Sequence, residues 1–267
     1  MLHNHGGPGS RLEARLFAPA ALKNRVRFVC VDRPGIGRSS PQKARTYAGW
    51  ADDLTAIADA LGHRTFGVTG WSEGGPWALA AAAFIDPGRL RHVTSIAGGS
   101  YGAFGDNWAA DHLSKADALG GRLALGFMPG FRLMYAALGV TARYFRASFV
   151  AQVRKAVNDR DRDLLLRPDV ESVFSDASAE CFAQGSDGLV RDSERLYRRW
   201  SFDVTTIERR VHLWQGTEDR LVPPVINRTV ADRLPGAVWH SVAGAGHFLA
   251  VGSADDWLAI AARELGA

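Results

Sequence analysis

The sequence predicts an α/β fold with a mainly parallel sheet flanked by helices. Short apolar runs of strand type alternate with longer amphipathic runs, the pattern of stacked βαβ units. Each strand candidate ends at a loop carrying Gly, Asp or Ser, where the chain can turn into the next helix. Between about Ser100 and Trp200 the alternation stops, and the pattern becomes helical, aromatic and Arg-rich.

The elements follow in order. Strands are expected at Val26 to Val31, Thr65 to Gly70, His92 to Ala97, Val211 to Gln215 and Val238 to Val242. Helices are expected at Tyr47 to Leu61, with Trp50, Leu54, Ile57, Ala58 and Leu61 on one face, then at Pro76 to Phe84, Pro224 to Leu234 and Ala254 to Leu265. Pro76 and Pro224 suit a first helical turn, where no N–H is needed. Residues 1–99 and 201–267 then form one core, and 100–200 form a helical cap inserted after the strand His92 to Ala97. Ligands of open α/β sheets bind beyond the carboxyl ends of the strands, so such an insertion would roof the site.

The chain has 267 residues, 46% hydrophobic and 22% charged, enough for one sizeable core. Its net charge of +4 comes from bases interleaved with acids, as between Arg154 and Asp169. That reads as a solvated helical face, and no basic run or aromatic-basic interleaving points to nucleic acid. Cys30 and Cys181 form neither a disulfide framework nor a Cys-x-x-Cys pair. The longest apolar run, Trp77 to Ile85, is too short to span a bilayer. The start, Met1-Leu2-His3-Asn4-His5, lacks the pattern of a signal peptide. A cytoplasmic protein without membrane or nucleic-acid partners is expected.

Chemistry concentrates in Gly70-Trp71-Ser72-Glu73-Gly74, which follows an apolar strand and precedes an alanine-rich helix. That context marks a nucleophile elbow, where a strand turns sharply into a helix and glycines let neighbouring backbone approach. A serine hydroxyl needs a base, and the base needs a carboxylate to fix its tautomer. His247, in Gly244-Ala245-Gly246-His247-Phe248, sits on a glycine-rich loop after the last strand. Glu218 and Asp219 follow the strand Val211 to Gln215, and Asp219 is preferred because its neighbour should point outward on a tight turn. An oxyanion needs backbone N–H donors. Glu73 supplies one, and Gly7 of His5-Gly6-Gly7-Pro8-Gly9-Ser10 the second, since Pro8 has no N–H. Trp71, Phe104 and Phe248 are the expected pocket contacts, and Tyr101, Phe104, Trp108, Phe127, Met128, Met134 and Tyr135 of the insertion form an apolar set that could line a lid.

Together these segments resemble the α/β-hydrolase superfamily, over almost the whole chain. His5 to Ser10 is similar to the oxyanion loop of the proline iminopeptidase branch, and Asp32-Arg33-Pro34-Gly35-Ile36-Gly37-Arg38-Ser39 to the following strand-end turn. The order Ser72, Asp219, His247 is the superfamily's. Glu73 stands where that branch usually carries Trp. The resemblance also implies two strands ahead of the oxyanion loop, which here begins at residue 5. On that reading the N-terminal strands are missing, Met1 is a downstream start, and the loop is loosely anchored by Met1 to Asn4. The strand 26–31 becomes an edge, through which a homodimer would form.

The expected function is hydrolysis of an ester or amide of a small, partly apolar substrate by Ser72, His247 and Asp219 through an acyl-enzyme, with no cofactor or metal. The alternatives are a ligand-binding or weakly active protein on the same fold, and a triad-dependent lyase or C–C hydrolase. Only turnover separates them. A dinucleotide fingerprint at Gly35 to Ser40 lacks its third small residue, and His3-Asn4-His5 lacks the clustered acids or cysteines of a metal hydrolase.

Overall fold

A computed structural model describes residues 1–266. The sheet has strands β1 (Leu2–Asn4), β2 (Val29–Val31), β3 (Phe66–Trp71), β4 (Leu90–Ile96), β5 (Val211–Gly216) and β6 (Ala237–Val242) in the order β2-β1-β3-β4-β5-β6. Every pairing is parallel, as the alternating pattern predicts. The helices packed on it are α1 (Ala14–Lys23), α2 (Tyr47–Ala60) and α3 (Gly75–Phe84). Between β4 and β5 run α4 (Lys115–Gly126), α5 (Met128–Tyr144), α6 (Arg146–Ala156), α7 (Asp159–Leu166), α8 (Pro168–Cys181) and α9 (Asp187–Tyr197). The C-terminal part adds α10 (Pro224–Arg233), α11 (Leu249–Gly252) and α12 (Ala254–Leu265). No strand lies between Ile96 and Val211 among the described residues, and no helix is long and apolar enough to cross a membrane.

Helix α3 is the central piece. Every side chain from Gly75 to Ala82 is buried, as expected of a helix that is apolar all round. Its alanines let it lie close to β3 and β4, while Trp77 packs at 4.5 Å against the Tyr47 ring of α2. Helix α2 starts where the Thr46 hydroxyl accepts the Gly49 N–H at 2.9 Å, an N-cap that removes one orphan donor.

The N-terminal region departs from expectation in three ways. Helix α1 was not foreseen, because Pro19 interrupts the apolar spacing of Leu16, Phe17, Ala20 and Ala21. The expected strand 26–31 shrinks to Val29–Val31, since Arg25 takes a positive φ of 56° and the Val26 N–H turns back to the Ala21 carbonyl. It does form the sheet edge, but it offers a neighbour only a short ladder. The loop after β1 is firmly held rather than loose, because β1 pairs on both sides, Asn4 aligning with Val31 and with Gly70. The Asn4 amide donates to the Thr69 carbonyl at 3.1 Å, and the Trp50 indole donates to Asn4 Oδ1 at 2.6 Å.

One buried ion group joins the helical segment to the sheet. Asp192 of α9 is fully buried and meets Arg33 Nε at 2.5 Å, and Arg45 contacts the same carboxylate. Arg33 also donates to the His5 carbonyl at 2.6 Å, so the group reaches the loop after β1. Truncating one partner of a buried pair strands the other charge. Asp192→Ala is therefore expected to cost about 3 to 5 kcal/mol in urea unfolding. Asp255→Ala, which breaks an exposed pair with Lys23, should cost about 1 kcal/mol or less; equal losses would refute this ranking.

Candidate functional site

Ser72 follows β3 directly and takes a φ of +55°, a conformation rare outside glycine. The neighbouring chain leaves no other course. A Cβ on Gly70 would collide with the Gly74 carbonyl, and one on Gly74 with the Asn4 carbonyl. The two glycines of the expected elbow thus mark real backbone contacts.

Asp219 and His247 meet, as the sequence predicts. His247 Nδ1 donates to Asp219 Oδ2 at 3.0 Å, which leaves Nε2 as the acceptor of the neutral ring. Gln215 Nε2 donates to the same Oδ2 at 3.0 Å, and the Leu221 and Val222 N–H groups donate to Oδ1, each at 2.9 Å. Glu218 points to solvent, where Asn158 Nδ2 reaches it at 3.3 Å. Burial disfavours the charged imidazole, but the carboxylates of Asp219, Asp161 and Asp117 outweigh it and hold the His247 pKa above the usual histidine value.

The His247 loop is braced from two directions. The Trp71 indole donates to the His247 carbonyl at 3.0 Å while its ring packs edge-on against Phe248 at 5.1 Å. From the helical segment, Asn158 caps α7 and donates to the Gly244 carbonyl at 3.1 Å. A Cβ at Gly246 would run into Asp161 and Asn158.

The glycine loop after β1 lies against the elbow. Glu13, buried, accepts the Gly6 N–H on both oxygens at 2.9 and 3.0 Å and sits 3.2 Å from His3 Nε2. The Gly7 N–H has no partner among the described residues. A Cβ on Gly7 would strike the Glu73 carboxyl, which therefore covers that glycine. Ser193 donates to both Glu73 oxygens at 2.9 and 3.1 Å. Burial pushes the Glu73 pKa up to about 7, against the opposing pull of Arg33 and Ser193.

Ser72, His247, Gly7 and Glu73 all line one cavity of about 520 Å³, a size suited to a small molecule. No hydrogen bond joins Ser72 to His247 among the described residues. Trp71 and Phe248 also line this cavity, with Tyr101, Met134 and Tyr135 from the expected apolar set. Phe104 does not. The Trp108 indole bonds the Ser100 carbonyl at 2.7 Å and folds this turn back, so that Phe104 packs on Trp108 under the Arg233 guanidinium. Leu138, Phe149 and Phe174, which the sequence did not single out, supply apolar wall instead. Their helical spacing is indistinguishable from that of ordinary core positions. Glu13, Asn158, Asp161 and Ser193 were missed as well; only Asn158, a cap residue ahead of Asp159 and Asp161, carried a local signal.

Comparison with known proteins agrees with the fold. The family description "alpha/beta hydrolase fold" matches residues 1–253. A 2-hydroxymuconate semialdehyde hydrolase of Pseudomonas putida is 25% identical over 245 residues, 90% of this chain and 73% of that protein. An alpha/beta hydrolase fold protein from Nakamurella multipartita superposes with a TM-score of 0.70 at 24% identity, covering 99% of this chain and 92% of its own. A bromoperoxidase from Bacillus anthracis superposes at 0.71 with 18% identity, covering 100% and 91%. The chain belongs to the α/β-hydrolase fold family.

Proposed function

We propose that this protein is a serine hydrolase that cleaves an ester or amide of a small, partly apolar substrate through an acyl-enzyme. One observation carries the reading: a serine at positive φ beyond a strand shares a cavity with an imidazole whose Nδ1 donates to a buried carboxylate. His247 Nε2 takes the Ser72 proton, and the alkoxide attacks the substrate carbonyl. The contact between the two tightens when substrate is bound, as is common for catalytic hydrogen bonds. The oxyanion is met by the N–H groups of Gly7 and Glu73. Collapse expels the alcohol or amine, which leaves with the proton held by His247. Water, deprotonated by the same ring, then attacks the acyl carbon, releases the acid and returns Ser72 to its starting state. Asp219 holds the tautomer throughout. Residues 100–200 act as the cap, since α4, α5, α6, α8 and α9 each contribute to the cavity wall.

The lining disfavours anionic substrates. Glu13, Glu73 and Asp117 contribute to it, while no Lys or Arg does among the described residues. The compound in the name of the Pseudomonas putida relative, 2-hydroxymuconate semialdehyde, carries a carboxylate that would find no cation on this wall, which weighs against that substrate here.

A fluorophosphonate is expected to add one equivalent of mass, at Ser72 alone. Ser72→Ala should abolish labelling and lower turnover of p-nitrophenyl esters by roughly 10⁴ to 10⁶. Labelling elsewhere, or turnover that survives the substitution, would refute the assignment to Ser72, whereas a wild-type protein that is neither labelled nor active would leave the ligand-binding alternative. Asp219→Asn should cost far more rate than Glu218→Gln.

The pH profile provides an independent check. His247 acts when neutral, and its pKa is raised, so kcat/KM should climb with pH through a midpoint above about 6.5. Glu73 loses its proton near pH 7, and its anion, packed over Gly7, repels the developing oxyanion. Glu73→Gln should therefore raise activity on the alkaline side and leave a single ionisation; an unchanged profile would show that the Glu73 charge does not reach the reacting oxygen.

A further inference from the structure

A second polar cluster lies near the amino-terminal ends of β4 and β5, whereas the cavity described above opens at the carboxyl end of β3. His92 of β4 and His212 of β5 are nearly fully buried, with their rings stacked at 5.2 Å. Both aim at Glu264, on the last turn of α12: His92 Nδ1 is 2.6 Å from Oε2 and His212 Nε2 is 3.1 Å from Oε1. The other nitrogen of each ring is also engaged. His92 Nε2 meets Thr94 Oγ1 at 2.7 Å, and His212 Nδ1 meets His240 Nε2 at 2.9 Å. His240 is itself stacked on Trp214 at 4.2 Å.

From this geometry we propose that His92, His212 and Glu264 form a binding site for one divalent ion of the zinc class, a structural site apart from the hydrolytic cavity. The three ligand atoms lie within 4.8 Å of one another. An ion with bonds of about 2.0 to 2.1 Å holds tetrahedral ligands roughly 3.4 Å apart, so atoms no more than 4.8 Å apart reach that geometry by shifts of about an ångström shared between the two rings and Glu264. Its side chain is 21% exposed, which leaves room for that shift and a path for water as a fourth ligand. Two imidazoles and a carboxylate suit zinc, cobalt or nickel rather than calcium or magnesium. Ligating histidines characteristically engage their second nitrogen, and Thr94 and His240 meet that requirement here.

Neutral imidazoles and a charged carboxylate are the forms that bind metal. Loading moves the His92 proton from Nδ1 to Nε2, where it faces Thr94 Oγ1, and the His212 proton from Nε2 to Nδ1, while His240 shifts its own proton to Nδ1 so that its Nε2 can accept. Arg210, 3.2 Å from Glu264 Oε1 and 68% exposed, is the competing cation and must swing into solvent. The ion would tie the end of α12 to the starts of two central strands.

The test is titration of chelator-treated protein with Zn²⁺ and with Co²⁺, by calorimetry and by the visible spectrum of cobalt. One equivalent should bind, and Glu264→Gln should weaken binding by at least about tenfold. Thr94→Val should weaken it by roughly 10- to 100-fold through lost ring orientation. X-ray absorption of zinc-loaded wild-type protein needs no variant and should show two imidazoles with oxygen donors and no sulfur. Absence of uptake, uptake that Glu264→Gln leaves unchanged, or a different imidazole count would overturn the assignment.

Discussion

Three stretches of backbone converge at Ser72, and the rest of the molecule is arranged around their contact. Gly70 closes on the Gly74 carbonyl, and Gly74 on the carbonyl of Asn4. With no room for side chains at these glycines, β3 passes into α3 through the three-residue 3-10 turn Ser72–Gly74, and the positive φ falls on Ser72. A non-glycine residue there costs on the order of 1 to 3 kcal/mol, which the buried packing of α3 on β3 and β4 has to offset. The same contact brings the end of β1 alongside the elbow. The loop carrying Gly7 therefore emerges beside the serine, and Glu13 fixes it there.

The second constraint is the turn after β5. A carboxylate that accepts two backbone N–H groups and a glutamine amide has little rotational freedom left, so it defines where the imidazole stands. Trp71 then couples this arrangement to the elbow, since it belongs to the end of β3 and holds the His247 carbonyl. Serine and histidine are positioned by adjoining residues of one strand. A change at Trp71 would disturb both, through the loop backbone and through the cavity wall.

The parts legible in the sequence were those written in local chemistry. The strand-glycine-helix pattern around Ser72, the glycine loop of His247 and the acid after β5 each announce themselves within a few residues, and the choice of Asp219 over Glu218 followed from turn geometry alone. Four of the five expected strands fell within about two residues of their expected ends, and the fifth, Val26 to Val31, lost its first half to the turn at Arg25. What escaped depends on partners distant in the chain. Glu13, Asp192 and Ser193 look like ordinary helix-surface residues until tertiary packing buries them. Phe104 looked like a pocket aromatic and is not, because the 100–108 turn folds on its own hydrogen bond. His92, His212, His240 and Glu264 come from four separate elements and could not be seen as a cluster beforehand.

The Asp192 ion group bears on how a ligand reaches the interior. A roof hinged at one side could swing clear of the sheet, but here the swing would pull a fully buried carboxylate off Arg33 and Arg45. Drawing buried charges apart is unfavourable until water reaches both, so α9 moves as one body with the loops that carry Arg33 and Arg45, and with the end of β1 that Arg33 also holds.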